Sequence, residues 1–306
     1  MQLPSCTSRI RAIESLPGIS AAFVWATYYL FIFYAYELNK FLIFSIPAVS
    51  GSALLLILSF RSTKSLKFML QRSLIFTGLF YFASQFLIIL SSERNGSVMT
   101  ALGVLLGDAV LTPIITIILR INASKIRYPI FMISMFLVLP SSILLTLYGK
   151  SIQISGILGL LFFLGVILSL PIFFILLNST VTKIGSFQAI SGTFFWPGLL
   201  ILGIGIFFNH VNNFTQAGIS ILSLFFAGIT SMGLAYILYF RSVRGVGFAI
   251  TGLLQSLIPI FTTILVFLFE KALISTIDII LISITIMGAI LSMVSISQSS
   301  EFTTRI

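Results

Sequence analysis

Charged residues are scarce in this sequence of 306 residues. Asp, Glu, Lys and Arg together make up 8% of it, whereas an ordinary soluble domain contains about 25%. Apolar residues make up 58%, so the charged side chains are too few to cover a water-facing surface of ordinary size. The composition therefore excludes a soluble globular protein and indicates a chain that lies mostly within a lipid bilayer.

Cysteine and histidine are almost absent, with one residue of each, Cys6 and His210. A single cysteine cannot form an internal disulfide, and one Cys with one His cannot supply the ligands of a zinc or haem site. We therefore predict no metal site and no cofactor. The sequence also holds no Walker-type GxxxxGK[ST] string, so ATP is not an expected source of energy.

Long apolar runs separated by short polar strings fill the chain. They predict membrane-spanning helices, because about 20 apolar residues cross the hydrocarbon core, whereas barrel strands are about half as long and alternate apolar with polar residues. The first run has no small-residue cleavage site and is predicted to stay in the mature chain. We place ten spans at Pro17 to Tyr36, Phe41 to Phe60, Ser73 to Ser92, Ser97 to Leu119, Pro129 to Tyr148, Gly156 to Asn178, Ala189 to Phe208, Ala217 to Phe240, Phe248 to Phe269 and Thr276 to Ser297.

Two short strings occur in corresponding spans of the two halves. Pro113 to Leu119 reads PIITIIL in the fourth span and Pro259 to Leu265 reads PIFTTIL in the ninth, while Gly78 to Tyr81 reads GLFY and Gly233 to Tyr236 reads GLAY. Chance recurrence in an apolar chain is the alternative explanation. If the halves are homologous, the second must be inserted upside down, because five spans is an odd number.

The predicted fold is therefore an all-α integral membrane protein with ten transmembrane helices in two inverted five-helix repeats. The repeats are residues 17–148 and 156–297. Their superposition requires a half-turn about an axis in the membrane plane, and it places the third, fourth, eighth and ninth spans near the centre. Residues 1–16 and 298–306 are predicted to be tails on the same side of the membrane, because the number of spans is even.

Basic residues are distributed unevenly between the two sides. When loops are assigned alternately, only Lys40, Arg94, Lys150 and Lys271 fall on one side, and the other thirteen of the 17 Lys and Arg fall on the opposite side. By the positive-inside rule the richer side is cytoplasmic, so both tails are predicted to be cytoplasmic in a multi-pass protein of the cytoplasmic membrane. Topology thus explains the net charge of +10, and nucleic acid is not an expected partner.

Only two acidic residues lie within the predicted spans. Asp278 lies in the first turn of the tenth span, where it can stabilise the helix N-terminus, so we interpret it as structural. Asp108 lies near the bilayer midplane, where an Asp costs about 2.5–3.5 kcal/mol on a translocon scale. We predict that it faces a central cavity and is reversibly protonated. The alternative is a neutral acid that joins two helices by a hydrogen bond.

Other polar and aromatic side chains within the spans are candidates for a solute site. A site for an amphipathic organic solute needs apolar walls with a few polar groups, although Tyr and Trp also occur in ordinary membrane helices. No catalytic residue is predicted. The candidates besides Asp108 are Trp25, Tyr28, Tyr81, Gln85, Trp196, Tyr236 and Gln255.

The second half contains a recognisable order of residues after the stretch LAYILYFRSVR, Leu234 to Arg244. The residues are Leu254, Leu257, Pro259, Leu265 and Glu270. With ten spans in about 300 residues, this order resembles the drug/metabolite transporter superfamily and its EamA-type domain, in which a leucine-rich stretch, a proline, aliphatic residues and a glutamate end the fourth helix of each half. The first half keeps Leu111 and Pro113 but has Ser124 where the glutamate is expected.

The resemblance implies a secondary transporter of a small organic metabolite or drug-like solute, working outward. Proton coupling through Asp108 is the more specific hypothesis. The expected partners are the solute and the lipid bilayer, and a homodimer is an arrangement that the sequence leaves open. The alternatives are an intramembrane lipid-modifying enzyme and a non-transporting membrane partner. An enzyme is disfavoured because one central acid supplies no paired carboxylates, metal set or nucleophile with a base.

The uneven basic charge predicts that the loop from Arg61 to Arg72 is cytoplasmic. A cysteine placed at Ser65 should therefore resist an impermeant thiol reagent added to sealed cells, whereas one placed at Lys150 should react. Efficient labelling at Ser65 with none at Lys150 would reverse the assignment.

Overall fold

The computed structural model describes residues 6–33, 35, 38–63, 67–121, 126–148, 154–207, 214–270 and 275–295. Within these ranges the chain forms long helices joined by short turns. We number them α1 Cys6–Phe33, α2 Lys40–Thr63, α3 Arg72–Gly96, α4 Met99–Ile118, α5 Tyr128–Leu147, α6 Gly156–Ile184, α7 Ser186–Phe207, α8 Phe214–Val246, α9 Phe248–Glu270 and α10 Thr276–Val294. Nine of these described helices, α2 to α10, are long and apolar enough to cross a membrane. The predicted all-α integral membrane fold is confirmed.

Several helices extend beyond the predicted spans. α1 begins at Cys6 and contains Pro17, which was expected to start the span, and α6 and α8 continue to Ile184 and Val246. Hydropathy locates only the part of a helix that is apolar enough for lipid, whereas helical hydrogen bonding continues into more polar sequence. The predicted tail of residues 1–16 is therefore helical from Cys6 onward, and the predicted tail of residues 298–306 lies outside the described part of the chain.

The connection between α3 and α4 is a sharp kink at Gly96, whose φ of 79° lies in the region that favours glycine. The preceding residue, Asn95, is buried, and both the nitrogen and the oxygen of its side-chain amide form hydrogen bonds with the start of α6. Its Nδ2 donates to the carbonyl oxygen of Gly159 at 2.8 Å, and its Oδ1 accepts from the backbone N–H of Ser155 at 3.0 Å. These bonds hold the end of α3 beside the start of α6.

Contacts between helices follow the same pattern in the two halves. In the first half α3 packs on α6 and α7, and α4 packs on α6. The corresponding contacts in the second half are those of α8 with α1 and α2, and of α9 with α1. The pairs α2 with α7, α4 with α9 and α5 with α10 complete the pattern. If α1 to α5 are exchanged with α6 to α10 in order, the same set of contacting pairs results. The pattern supports the two predicted repeats, which remain a prediction.

Two glycine–proline contacts repeat this correspondence at the level of atoms. A Cβ added to Gly78 of α3 would lie 3.3 Å from Pro197 Cγ of α7, and a Cβ added to Gly228 of α8 would lie 2.7 Å from Pro47 Cα of α2. The two contacts join corresponding helix pairs. Packing therefore relates Gly78 to Gly228, and not to Gly233 of the GLAY string.

The close crossing of α2 and α8 predicts that Gly228→Ala destabilises the protein. The new methyl group would collide with the backbone of Pro47 and with Ser50 Oγ, and such overpacking costs about 1–3 kcal/mol. Thermal unfolding of the detergent-purified variant should show a lowered Tm. Gly203→Ala is the matched control, because a Cβ there meets no atom within 4 Å. Equal Tm values for the two variants would contradict the crossing.

Candidate functional site

The middle of α4 departs from α-helical geometry. A π-helical turn covers Leu106–Leu111 and is followed directly by Pro113. Proline has no N–H and crowds the preceding turn, and a wider turn before it relieves that crowding. Thr112 secures the turn, since its hydroxyl donates to the carbonyl oxygen of Gly107 at 2.9 Å. Asp108 lies on this turn, with 7% of its surface exposed.

The matching region of α9 is irregular as well. A 3-10 turn covers Gln255–Leu257 immediately before Pro259, and it contacts the π-helical turn of α4. A Cβ added to Gly252 of α9 would lie 3.2 Å from Pro113 Cγ and 3.4 Å from the backbone oxygen of Asp108. The two proline-containing helices therefore cross beside Asp108.

A second π-helical turn lies in α8 at Gly228–Leu234. Trp25 of α1 bonds this turn, because its indole Nε1 donates to the carbonyl oxygen of Ser231 at 2.9 Å. Tyr236 and Tyr239 follow the turn, and both are buried. Three of the helices that converge here thus carry a local break in the α-helix.

A cluster of aromatic rings lies beside the π-helical turn of α8 and joins five helices. Tyr81 and Phe194 have ring centroids 4.5 Å apart, Phe194 and Tyr236 are 4.7 Å apart, and Tyr236 and Trp25 are 5.1 Å apart. The turn that carries Asp108 reaches this core through α6, because a Cβ on Gly107 would lie 3.2 Å from Leu170 Cβ and Leu170 belongs to the buried core that contains Tyr81 and Tyr236. The aromatic cluster, drawn from α1, α3, α6, α7 and α8, is Trp25, Tyr81, Phe173, Phe174, Phe194, Tyr236 and Tyr239.

Several buried oxygen atoms around the cluster have no hydrogen-bond partner among the described residues. Gln85 Oε1 and Gln255 Oε1 are amide oxygens, which can only accept a hydrogen bond. Asp108 Oδ1 is a third atom of this kind when its carboxyl group is ionised. The hydroxyl oxygens of Thr193 and Tyr239 are also without a partner. Buried polar groups are nearly always hydrogen-bonded, so a group of this kind marks a place where a bound molecule can supply the missing donors.

The structure brings most of the predicted site residues together. Tyr81 and Tyr236 belong to the aromatic cluster, and Gln85 lies on the same face of α3 as Tyr81, one turn further on. Gln255 is 1% exposed, and its Nε2 donates to the carbonyl oxygen of Thr251 at 3.0 Å. With Asp108 and Trp25 already placed, six of the eight candidates lie in this region.

The remaining two candidates lie further out. The hydroxyl of Tyr28 donates to the carbonyl oxygen of Ile43 at 3.2 Å and is within electrostatic reach of Tyr236, so Tyr28 borders the cluster. Trp196 is 49% exposed, and its ring packs edge-on against Phe195. Its exposure on the outer side of α7 separates Trp196 from the cluster. Whether any of these residues binds a solute remains a prediction.

Sequence reasoning missed four members of the cluster, Tyr239, Phe173, Phe174 and Phe194. Tyr239 comes three residues after Tyr236 and so shares its face of α8, a spacing that could have identified it. The three phenylalanines carry no comparable signal, since the sequence contains 31 of them.

The two acids within the helices differ as predicted. Asp278 forms a capping box at the start of α10, in which its Oδ2 accepts from the backbone N–H of Ser275 at 2.9 Å. Its backbone N–H donates to Ser275 Oγ at 3.1 Å. Asp278 thus has a structural role, whereas Asp108 has no such partner for its Oδ1. The side chain of Glu270 lies outside the described part of the structure.

The comparisons with known proteins agree with this architecture. A solved crystal structure superposes on the chain with a TM-score of 0.77 at 15% identity, covering 94% of this chain and 99% of that one. This likeness shows the fold alone. The nine described helices that are long and apolar enough to cross a membrane identify the chain as a multi-pass membrane protein. Residues 157–294 match the EamA-like transporter family, in agreement with the resemblance to the drug/metabolite transporter superfamily. No curated protein sequence matches the chain.

The indole bond to the π-helical turn of α8 predicts that Trp25→Phe lowers stability. The substitution keeps an aromatic ring but leaves the Ser231 carbonyl oxygen without its donor, at a cost of about 1–3 kcal/mol for a buried group. Trp196→Phe is the control, because its ring is half exposed and changes of that kind usually stay within about 0.5 kcal/mol. Thermal unfolding in detergent measures both, and an equal loss in the two variants would contradict the bond.

Proposed function

We propose that this protein is a secondary transporter that exports a small organic solute across the cytoplasmic membrane and exchanges it for protons. The observation that carries the proposal is the match of residues 157–294 to the EamA-like transporter family. The polar and aromatic site between the helices supports it, because solute sites combine apolar walls with a few polar groups. The sequence holds no Walker-type string for ATP, which leaves an ion gradient or the solute's own gradient as the source of energy, and we assign the proton gradient.

The position of the site suits alternating access between two repeats. The helices α4 and α9, one from each proposed repeat, cross beside Asp108, and the rings of the aromatic cluster come from both halves. In transporters with inverted repeats, the solute site lies near the midplane at the interface of the repeats, often at broken helices. The π-helical and 3-10 turns are breaks of that kind, so we assign them as the segments that bend when the site opens.

The proposed orientation has both termini in the cytoplasm. Its support is the excess of Lys and Arg on one side. Two contacts agree with it, one between the end of α8 and the start of α1 and one between the start of α5 and the end of α10. A Cβ on Gly245, at the end of α8, would lie 3.1 Å from Glu14 Cβ near the start of α1. The backbone N–H of Arg127, just before α5, donates to the carbonyl oxygen of Ser295 after α10 at 2.7 Å.

Asp108 is the proposed proton carrier. It is buried on the π-helical turn of α4, which packs against α6 and α9, and a charged carboxylate is costly there unless a partner stabilises it. The phenols of Tyr236 and Tyr239 belong to the buried core that this turn reaches through Leu170 of α6. α6 carries only Lys183 and α9 only Glu270, each near its helix end. Protonation removes the buried charge and so shifts the balance between inward-open and outward-open states.

The proposal predicts that Asp108→Asn folds but loses the pH dependence of transport. A screen of organic solutes for thermal stabilisation first identifies a solute, since a ligand at a hundred times its Kd stabilises the folded state by about 2.7 kcal/mol. Its flux is then measured in proteoliposomes with and without a pH gradient. The parent should respond to the gradient, and Asp108→Asn should not, because the amide keeps the size of the carboxyl group but does not titrate.

Asp278→Asn is the control, because that acid caps α10 and should leave the response to the pH gradient unchanged. A folded Asp108→Asn variant with the pH dependence of the parent would show that Asp108 is a packing residue. Proteoliposomes that move no stabilising solute would refute transport itself.

A further inference from the structure

We infer that the transported solute is an organic cation, a small molecule with a protonated amine attached to an apolar, preferably aromatic, body. The inference rests on the proposed function, because it assigns a substrate class to that same site. It is carried by two features of the structure, the excess of unpartnered acceptor atoms and the aromatic rings beside them.

The acceptor atoms define one end of the solute. Gln85 Oε1, Asp108 Oδ1 and Gln255 Oε1 are buried and lack donors among the described residues. A protonated primary amine has three N–H donors and no acceptor, so its hydrogen-bonding capacity is complementary to this set. Its positive charge also compensates the carboxylate, which no protein cation can do, because none of the 17 Lys and Arg lies deep within a predicted span.

The aromatic rings define the rest of the solute. The ring of Trp25 packs on those of Tyr236 and Tyr239, with centroids 5.1 and 5.5 Å apart. The turn that carries Asp108 reaches the same core through α6, because a Cβ on Gly107 would lie 3.2 Å from Leu170 Cβ and Leu170 packs in the core that contains Tyr236 and Tyr239. The faces of Trp and Tyr rings attract a cation within about 6 Å of the ring centroid, most strongly when water is excluded. Their edges and faces also pack well against another ring. A solute that combines a cationic group with an aromatic body uses both properties of the cluster.

The same features discriminate against other classes of solute. A carboxylate or phosphate on the solute would be buried beside Asp108 with no cationic partner, and an unpaired buried charge is strongly destabilising. Amino acids are disfavoured for this reason. An inorganic cation is disfavoured because it requires a shell of oxygen ligands on several sides, and aromatic rings occupy much of this site.

The position of the two tryptophans provides a direct binding assay. The chain contains two tryptophans, Trp25 in the aromatic cluster and Trp196 on the outer surface, so Trp196→Phe leaves one fluorophore at the site. We titrate this variant in detergent at neutral pH with phenethylammonium, with 2-phenylethanol and with phenylalanine. The alcohol has the same skeleton without the charge, and phenylalanine adds a carboxylate. Phenethylammonium should change the emission of Trp25 saturably, and the other two should bind at least tenfold more weakly.

Substitutions at Asp108 then test the ionic contact. In the same Trp196→Phe background, Asp108→Asn should weaken binding of phenethylammonium at least tenfold, whereas Asp108→Glu should restore most of it. Asp278→Asn is the matched control and should leave the affinity unchanged. If Asp108→Asn does not elute as a folded species, the comparison of the three probes and the Asp108→Glu variant still decide the question.

Two results would overturn the inference. One is binding of 2-phenylethanol or phenylalanine as tight as that of phenethylammonium. The other is no saturable response to phenethylammonium up to about 10 mM, which is tenfold above the usual upper range of KM values. A protein that fails here but moves another solute in proteoliposomes refutes the amine class and leaves transport standing. A protein that binds phenethylammonium but moves no solute refutes transport.

Discussion

A peptide group within the hydrocarbon core of a bilayer must find its hydrogen-bond partner inside the protein. This requirement makes the chain helical through its long apolar segments, and it restricts any departure from the α-helix to places that other helices cover. The departures at Leu106–Leu111, Gly228–Leu234 and Gln255–Leu257 are covered in this way, with buried residues in each. Trp25 supplies a donor to one of them. The irregular turns of α8 and α9 both contact α1, and the turn of α9 also contacts that of α4.

The same requirement limits the number of polar side chains that can serve a ligand. Most buried hydroxyl groups bond a carbonyl oxygen of their own helix, as Thr77 does with Ser73 at 2.7 Å and Ser84 with Phe80 at 2.8 Å. Such groups are satisfied and offer little to a solute. Asp108, Gln85 and Gln255 differ, because each keeps a buried oxygen without a donor. Burying these oxygens without donors costs free energy, and a solute or a proton at this site would lower that cost.

The sequence predicts the helices well because hydropathy reports directly which segments fit the hydrocarbon. The ninth predicted span and α9 both cover Phe248 to Phe269. Which way a helix faces is harder to predict, because tryptophan suits both a site and a lipid-facing surface. The sequence alone therefore cannot distinguish the buried environment of Trp25 from the exposed one of Trp196, which only the packing of the helices shows. Asp108 could be identified from its depth alone, whereas the π-helical turn that presents it leaves no clear signal.

The central claim is that Asp108 gains and loses a proton within the closed bundle. Its most direct test is reaction of the purified protein with a hydrophobic carbodiimide, which attacks protonated carboxyl groups, followed by mass spectrometry of the peptide that contains Asp108. The account predicts an adduct at Asp108 that forms more slowly as the pH rises and that a bound solute suppresses. An Asp108 that stays unmodified at every pH, or is modified at a rate independent of pH, would contradict it.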